Sequence, residues 1–238
     1  MLLLAGLKRA GGAAGGLLGV PHTSRPFPAV LRSERLWARC VNGRFLMLSI
    51  IASEEQLEAA LATGELACPD CSGRLSPWGF ARSREVRMRD GVRSLRPRRA
   101  CCQDCGATHV LCPSWSVPRR RDGAEVIGEA LALAVGGYGH RRIACQLGRP
   151  PGTVRGWLRA ARGRAESLRA CASRWVVALD HELVAVTPAG SELGDAVEAI
   201  MLAVRALVLR FGHAAIGPWE RAVCLTGGLL SGEPPLPP

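Results

Sequence analysis

Apolar residues recur at helical spacing through most of the second half of the chain. They follow intervals of three and four residues over Ala124–Ala134 and stop at Gly136, which predicts a helix ending there. Two further helices are predicted over His140–Leu147 and Pro151–Arg162, because proline is well tolerated at the first position of a helix. Gly148 begins the short turn between them. The pattern therefore predicts three consecutive helices, with a short turn between the second and the third.

The helical period continues beyond Arg162 to about Leu183 and is broken by the sequence around Pro188. Another helix with a broad apolar stripe follows, and a short helix is predicted over Pro218–Leu225. The stripe contains Val197, Ile200, Met201, Val204, Leu207, Val208 and Phe211. Helices this apolar must pack on each other, on the preceding part of the chain or on a second copy. A homodimer through these helices is one expectation.

The first half of the chain carries strand patterns instead. Met47–Ile51 predicts a short buried strand, and a capping pattern at Ser53 predicts a helix after it. Alternating residues over Arg84–Arg89 and Val92–Leu95 predict a hairpin that turns at an Asp-Gly pair. Residues 1–46 mix Gly, Pro and Arg without periodicity, which favours a disordered or poorly ordered extension.

Two C-x2-C pairs flank the predicted hairpin, Cys68 with Cys71 and Cys102 with Cys105. Four thiolates in two such knuckles are typical of a tetrahedral Zn²⁺ site, and the hairpin is expected to bring the knuckles together as a zinc ribbon. The alternative is two unrelated reduced cysteine pairs. Other donors lie nearby. Cys101 could replace Cys102 but breaks the spacing, while His109 and Cys112 are interpreted first as residues of a strand.

The helices over 140–147 and 151–162 have the spacing of a DNA-binding helix-turn-helix. That motif needs a small residue at the helix contact, a glycine in the turn and apolar residues facing the core, which Ala144, Gly148, Val154 and Trp157 provide. The helix over 151–162 is then expected to face DNA with the side opposite its core residues, and this side includes Gly156. The predicted DNA-contacting residues are Arg119, Arg120, Arg121, Arg141, Arg142, Gly152, Thr153, Arg155, Arg159 and Arg162. The alternative is a helical bundle with an exposed basic face.

Charge supports an anionic partner only where it is clustered. The net charge is +11 and Lys8 is the only lysine, a bias that also fits a high-GC genome. Arg119, Arg120 and Arg121 form a basic arm before the first of the three helices, where such an arm can follow a groove. The predicted hairpin is also rich in arginine. Those side chains are interpreted either as phosphate contacts or as a solvated strand face.

The ten cysteines indicate a reducing compartment, because four of them have metal-ligand spacing rather than a secreted disulfide pattern. The cytoplasm, with association to the nucleoid, is the expected location. No stretch approaches the length of a membrane span, since even the apolar run 199–204 is bracketed by charges. The sequence identifies no small-molecule substrate.

These patterns together predict an α+β fold, in which a small β zinc ribbon precedes a mainly α helix-turn-helix bundle and C-terminal helices. The zinc ribbon with its preceding strand and helix is expected over 47–117 and the helix-turn-helix over 118–162. The remaining predicted segments are the extension 1–46, the C-terminal helices 163–230 and a Pro-rich tail 231–238.

The segments CPDCSGRL, RRACCQDCGATHVLCPSW, PRRRDGAEVIGEAL and HRRIACQLGRPPGTVRGWL resemble the amino-terminal region of insertion-sequence transposases. They resemble more closely a group of small transposase-like helix-turn-helix proteins from high-GC bacteria. The resemblance covers about 47–162 and implies zinc on Cys68, Cys71, Cys102 and Cys105, and DNA on the helix over 151–162. The segment before Met47 and the additional Cys101 depart from the pattern.

The domain that such transposases use for catalysis, in which three carboxylates hold two Mg²⁺ ions, is not expected from the residues that follow Arg162. Asp180 and Glu182 lie too close in sequence to be separate strand-borne ligands, while Asp195 and Glu198 fit a helix start. A non-catalytic DNA-binding protein, transposase-derived or a transcriptional regulator, is therefore expected. The alternatives are a compact transposase or recombinase with Mg²⁺-dependent strand transfer, and a protein-binding adaptor.

Overall fold

A computed structural model describes residues 37–40, 46–50, 54–179, 188–212 and 216–230 and confirms the predicted α+β fold. The strands in these residues are β1 (Trp37–Cys40), β2 (Leu46–Ile50), β3 (Leu75–Phe80), β4 (Arg84–Arg87), β5 (Val92–Leu95), β6 (Arg98–Cys102) and β7 (Thr108–Pro113). The helices are α1 (Glu54–Thr63), α2 (Ala124–Val135), α3 (His140–Leu147), α4 (Pro151–Arg162), α5 (Ala165–Leu179), α6 (Glu192–Phe211) and α7 (Pro218–Thr226).

Five of these strands form one sheet in the order β1-β2-β7-β6-β3. Neighbouring strands are antiparallel except β2 and β7, which run parallel with Leu48 opposite Leu111. Helix α1 lies beside β3 and contributes Leu61 to a small apolar cluster. The buried members of this cluster are Ala60, Leu61, Leu66, Cys68, Leu75, Ala100, Cys102 and Leu111.

Strand β1 lies within residues 1–46, which are predicted to be a disordered or poorly ordered extension. Trp37–Cys40 pairs with β2, with Trp37 opposite Ile50 and Cys40 opposite Met47. A four-residue edge strand is held by backbone hydrogen bonds to its neighbour, so it needs no apolar alternation of its own. Residues 1–36 and 41–45 of the predicted extension lie outside the described residues, as does the predicted tail 231–238.

The predicted hairpin exists, but it does not join the knuckles. Strands β4 and β5 form a separate two-stranded sheet. The knuckles are brought together by β3 and β6, which place Leu75 opposite Cys102. Strand β3 contains Pro77 and Gly79, and its pairing shifts between Pro77 and Phe80. Proline is tolerated there because β3 is an edge strand.

The helices share a second and much larger core. Helices α2, α3 and α4 bury Ile127, Ile143 and Trp157 within it. Helices α5 and α6 pack against each other, as one reading of their apolar stripes expected. Phe211, a member of the predicted apolar stripe, is 41% exposed at the C-terminal end of α6. The predicted homodimer stays a prediction.

Helix α7 joins the C-terminal helices to the first helix of the predicted helix-turn-helix. It packs on α2, α5 and α6 and lies beside β1. Its Trp219 covers Gly128 of α2 so closely that a Cβ built on this glycine would lie 1.9 Å from the indole ring. The indole Nε1–H of Trp175 donates to the carbonyl of Leu225 over 2.9 Å. Helix α7 therefore connects α2 with α5 and α6 near the C-terminal end of the described chain.

Candidate metal centre and helix-turn-helix

The first C-x2-C pair forms a compact knuckle between α1 and β3. The N–H of Cys68 donates to the carbonyl of Gly73 over 2.7 Å, and the N–H of Ser72 donates to the carbonyl of Cys68 over 2.8 Å. Ser72 adopts a φ of 61°, in the left-handed region that lets the chain reverse direction there. This turn brings Cys68 and Cys71 to the same side of the knuckle.

The second pair repeats the same turn at the end of β6. The N–H of Cys102 donates to the carbonyl of Ala107 over 2.9 Å, and the N–H of Gly106 donates to the carbonyl of Cys102 over 3.1 Å. Gly106 has a φ of 70° at the position equivalent to Ser72. The small residue after each pair, Ser72 or Gly106, thus adopts a left-handed backbone conformation.

The two knuckles place all four sulfur atoms within 4.8 Å of one another. The Sγ atoms of Cys71 and Cys102 are 3.4 Å apart, and those of Cys68 and Cys105 are 3.8 Å apart. A tetrahedral site with metal–sulfur bonds of about 2.3 Å requires sulfur–sulfur separations of about 3.8 Å. The four predicted ligands can therefore hold one metal ion.

Backbone N–H groups surround the sulfurs of both knuckles. Those of Cys105 and Asp104 lower the pKa of Cys102 to about 7, against the opposing effect of burial. Burial raises the pKa of Cys68, an effect that the N–H groups of Asp70 and Cys71 partly offset. N–H groups directed at sulfur stabilise thiolates, which are the form that binds metal.

Of the three alternative donors, His109 lies near the site, because it forms a second group of possible ligands with Cys68 and Asp70. Cys101 directs its Sγ toward the carbonyls of Cys102 and Gly106, each 3.6 Å away, and does not join the four-sulfur group. Cys112 is fully buried, and this burial raises its pKa to about 11. His109 is also fully buried, with Nε2 3.4 Å from the Sγ of Cys68.

Helices α3 and α4 have the predicted bounds and the packing of a helix-turn-helix. Gly148 ends α3 with a φ of 60°, a left-handed conformation that favours glycine. Ala144 is buried in α3, where a larger side chain would separate the helices, and Val154 and Trp157 of α4 are buried in the shared core. Cys145 is exposed on the side of α3 away from this core.

The opposite side of α4 is open to solvent. Arg155, Arg159 and Arg162 are exposed, as is Gly152, while Thr153 is half-buried. A Cβ built on Gly152 or on the half-buried Gly156 would have no neighbouring atom within 4 Å. The stretch 140–162 contains six arginines and no carboxylate. The predicted outward face of α4 is therefore uncovered and positive.

The other predicted DNA-contacting arginines lie before α2 and at the start of α3. Arg119 and Arg121 are exposed and Arg120 is half-buried. The carbonyl of Arg120 accepts from Nη1 of Arg84 over 3.3 Å, which ties this arm to β4. Arg141 and Arg142 are exposed on α3, and the guanidinium of Arg142 lies 4.2 Å from the centroid of the Tyr138 ring.

Sequence reasoning missed one buried carboxylate, Asp122, which is 2% exposed between the arginine arm and α2. Its Oδ2 accepts from Nη2 of Arg87 over 2.6 Å and its Oδ1 accepts from Nε of Arg149 over 2.7 Å. Asp122 is the first acidic residue after Asp104, and this isolation within an arginine-rich segment was the available signal. Asp180 and Glu182, weighed as catalytic carboxylates, lie outside the described residues.

A family model described as a domain of unknown function (DUF6431) matches residues 68–144. The match begins at the first cysteine of the metal centre and ends within α3. No curated protein and no solved structure shows a significant match to the chain. None of the described helices has both the length and the apolar character needed to cross a membrane.

Proposed function

We propose that this protein binds duplex DNA sequence-specifically and carries one structural zinc ion. The observation that carries the proposal is the exposed face of α4, where Arg155, Arg159 and Arg162 lie opposite the buried Val154 and Trp157. Duplex DNA is the anionic partner with a groove of the right width for one helix. The second helix of a helix-turn-helix commonly occupies that groove.

Zinc is the metal that best fits the four cysteines. An all-sulfur tetrahedral set favours Zn²⁺ over Mg²⁺ or Ca²⁺, which prefer oxygen ligands. Four protein ligands leave no open position for substrate or water, so the ion has a structural role. It would hold the two knuckles together at the start of β3 and the end of β6.

The residues on α4 suit readout of base edges. Arg155 and Arg159 can each donate two hydrogen bonds to O6 and N7 of a guanine, and Thr153 can contact a phosphate or a thymine methyl group. Gly152 and Gly156 lack side chains, so the helix backbone can approach the groove closely. The remaining predicted residues supply phosphate contacts. They are Arg119, Arg120, Arg121, Arg141, Arg142 and Arg162.

In the cell, the protein would act as a transcriptional regulator or would be the retained DNA-binding part of a transposase. The resemblance of residues 47–162 to transposase amino-terminal regions supports the second origin. We propose no catalytic step, and the protein would act in the cytoplasm on the nucleoid. A Mg²⁺-dependent enzyme and a protein adaptor are the competing functions that an experiment must separate.

Selection from a pool of random duplexes by the zinc-loaded protein tests the proposal. We expect enrichment of a short sequence, and no enrichment by a variant carrying Arg155→Ala and Arg159→Ala. Arg169→Ala is the matched control, because Arg169 is a partly exposed arginine on α5 that pairs with Glu166. Absence of any enriched sequence would overturn the proposal, and nicking of supercoiled plasmid in Mg²⁺ would favour the enzyme.

A further inference from the structure

The β4–β5 hairpin is bound to the turn of the helix-turn-helix through Asp122. This carboxylate accepts from Arg87 of β4 and from Arg149, which lies between α3 and α4. Arg149 also donates through Nη2 to the carbonyl of Met88 over 2.7 Å. Arg149 is two residues before the start of α4, so the hairpin turn lies next to the N-terminus of that helix.

Backbone hydrogen bonds reinforce the same attachment. The N–H of Arg87 donates to the carbonyl of Arg121 over 2.7 Å, and the N–H of Gly123 donates to the carbonyl of Arg87 over 3.0 Å. Residues 121–123 therefore pair with β4 like a third strand. The Sδ of Met88 would lie 2.7 Å from a Cβ built on Gly123, which shows how closely the hairpin packs there.

The exposed side of the hairpin carries two arginines that lie outside the apolar cores. Arg89 is 69% exposed and pairs with Glu129 of α2, and Arg93 is exposed with its guanidinium 4.3 Å from the centroid of Trp115. Over Arg84–Leu95 there are four arginines against Glu85 and Asp90. Arg87 pairs with Asp122 and Arg89 with Glu129, so the hairpin places Arg93 and the paired Arg89 near Arg121 and the N-terminus of α4.

We infer that the β4–β5 hairpin is a second DNA-binding element, which contacts the phosphate backbone beside the groove that α4 occupies. The N-terminal residues of a recognition helix reach the base edges, so an element attached at that end meets the adjacent backbone. Arg93 would neutralise one phosphate, and Arg89 would neutralise a second by exchanging its ion pair with Glu129 for the phosphate. Asp122 would act as a positioning residue. The inference rests on the proposed function of α4.

The salt dependence of duplex binding by the full chain tests the inference, because each lost phosphate contact reduces the slope of log K against log salt by about 1. The double variant Arg89→Ala, Arg93→Ala should reduce the slope by about 2 and weaken binding on the order of tenfold at moderate salt. Its preferred sequence should not change, because phosphate contacts carry no base information.

Two controls separate charge from packing. A double variant Arg89→Lys, Arg93→Lys keeps both charges but loses the planar stacking on Trp115, and it should retain the slope. Arg169→Ala removes one charge from α5, outside the hairpin, and should also retain it. A slope that falls equally in the Lys variant would overturn the phosphate assignment.

The positioning role of Asp122 has its own readout. Asp122→Asn should reduce the salt slope in the otherwise unchanged protein but have no further effect in the Arg89→Ala, Arg93→Ala background, as coupled residues do in a double-mutant cycle. A further reduction there would overturn the positioning role. Unchanged slopes in the hairpin variants would overturn the hairpin contact alone, whereas absence of duplex binding by the unmodified protein would overturn the proposed function as well.

Discussion

The two cores of this protein are stabilised in different ways. Among the described side chains, the sheet region buries a few aliphatic residues around α1, β3 and β6, and two of the cysteines are part of that cluster. The helical region buries an extended apolar core across α2 to α7 that includes Trp157 and Trp175. A small apolar core seldom supports a fold by itself, so the sheet region is expected to need its metal ion.

From this difference we expect the metal centre and the helix-turn-helix to unfold separately, although ion pairs and packing contacts join them. Asp122 joins the hairpin to the helical region by ion pairs, and α7 also lies beside β1 and β2. Loss of metal should therefore unfold one region first. Truncation of an apolar side chain in the helical core should instead unfold the helical region first.

Removal of one metal ligand is expected to have the largest effect. Cys68→Ser leaves three thiolates, and structural zinc sites contribute on the order of 10 kcal/mol to folding at neutral pH. Hydrogen exchange should show lost protection in β3, β6 and β7, while the helices from α4 to α6 stay protected. The zinc content measured by metal analysis should fall below the value of about one ion per chain expected for the unmodified protein. Cys145→Ser, which changes an exposed cysteine, is the control. Retention of metal and protection by Cys68→Ser would contradict the four-ligand site.

Truncation in the helical core should produce the opposite pattern. Trp157 is 2% exposed, and Trp157→Ala should lower the free energy of unfolding by about 3–5 kcal/mol through lost burial and a cavity. Thermal unfolding followed by far-UV circular dichroism measures this change. The bound zinc should remain near one per chain. A variant that lost metal together with helix would show that the two regions unfold as one unit.

Loss of the carboxylate that joins the regions should have a smaller effect. Asp122→Ala leaves the guanidinium groups of Arg87 and Arg149 without their buried partner, and removing one member of a buried ion pair costs about 3 kcal/mol. Chemical denaturation measures the loss. Glu166→Ala breaks an exposed pair with Arg169 and should change stability little. Equal effects of the two variants would show that Asp122 does not couple the regions.

The smallest expected difference is in cysteine reactivity. Exposed Cys145 should react with iodoacetamide at pH 8, whereas fully buried Cys112, whose pKa is raised to about 11, should not. Because folding raises this pKa from 9.0 to about 11, the stability that the neutral thiol contributes is lost as pH rises through that interval. Peptide mapping by mass spectrometry follows both residues, and fast labelling of Cys112 in the native protein would contradict its burial.

The helical half was well predicted because its signals are local. Gly148 marks the C-terminal end of α3 and Pro151 marks the start of α4. Apolar spacing identifies Val154 and Trp157 as core residues. Spacing also identified the four clustered cysteines, because each C-x2-C pair forms its own turn before the pairs meet. These features depend on residues within one or two turns of each other.

The sheet region was predicted less completely because its strands depend on partners. Pro77 and Gly79 are untypical of strands, so the sequence does not indicate β3. This edge strand forms by pairing with β6. The Asp122 ion pairs join residues separated by 35 and 27 positions, with Arg87 and Arg149 respectively. Among 30 arginines, a sequence pattern does not show which two reach one carboxylate.

Fluorescence anisotropy with the duplex obtained from selection tests the central claim most directly. The zinc-loaded protein should bind that duplex, and Arg155→Ala with Arg159→Ala should weaken binding on the order of a hundredfold, since each bidentate contact to guanine contributes about 1–3 kcal/mol. Arg169→Ala should bind like the unmodified protein. Equal affinity of the unmodified protein and the Arg155, Arg159 variant would contradict the assignment of α4 as the DNA-reading helix.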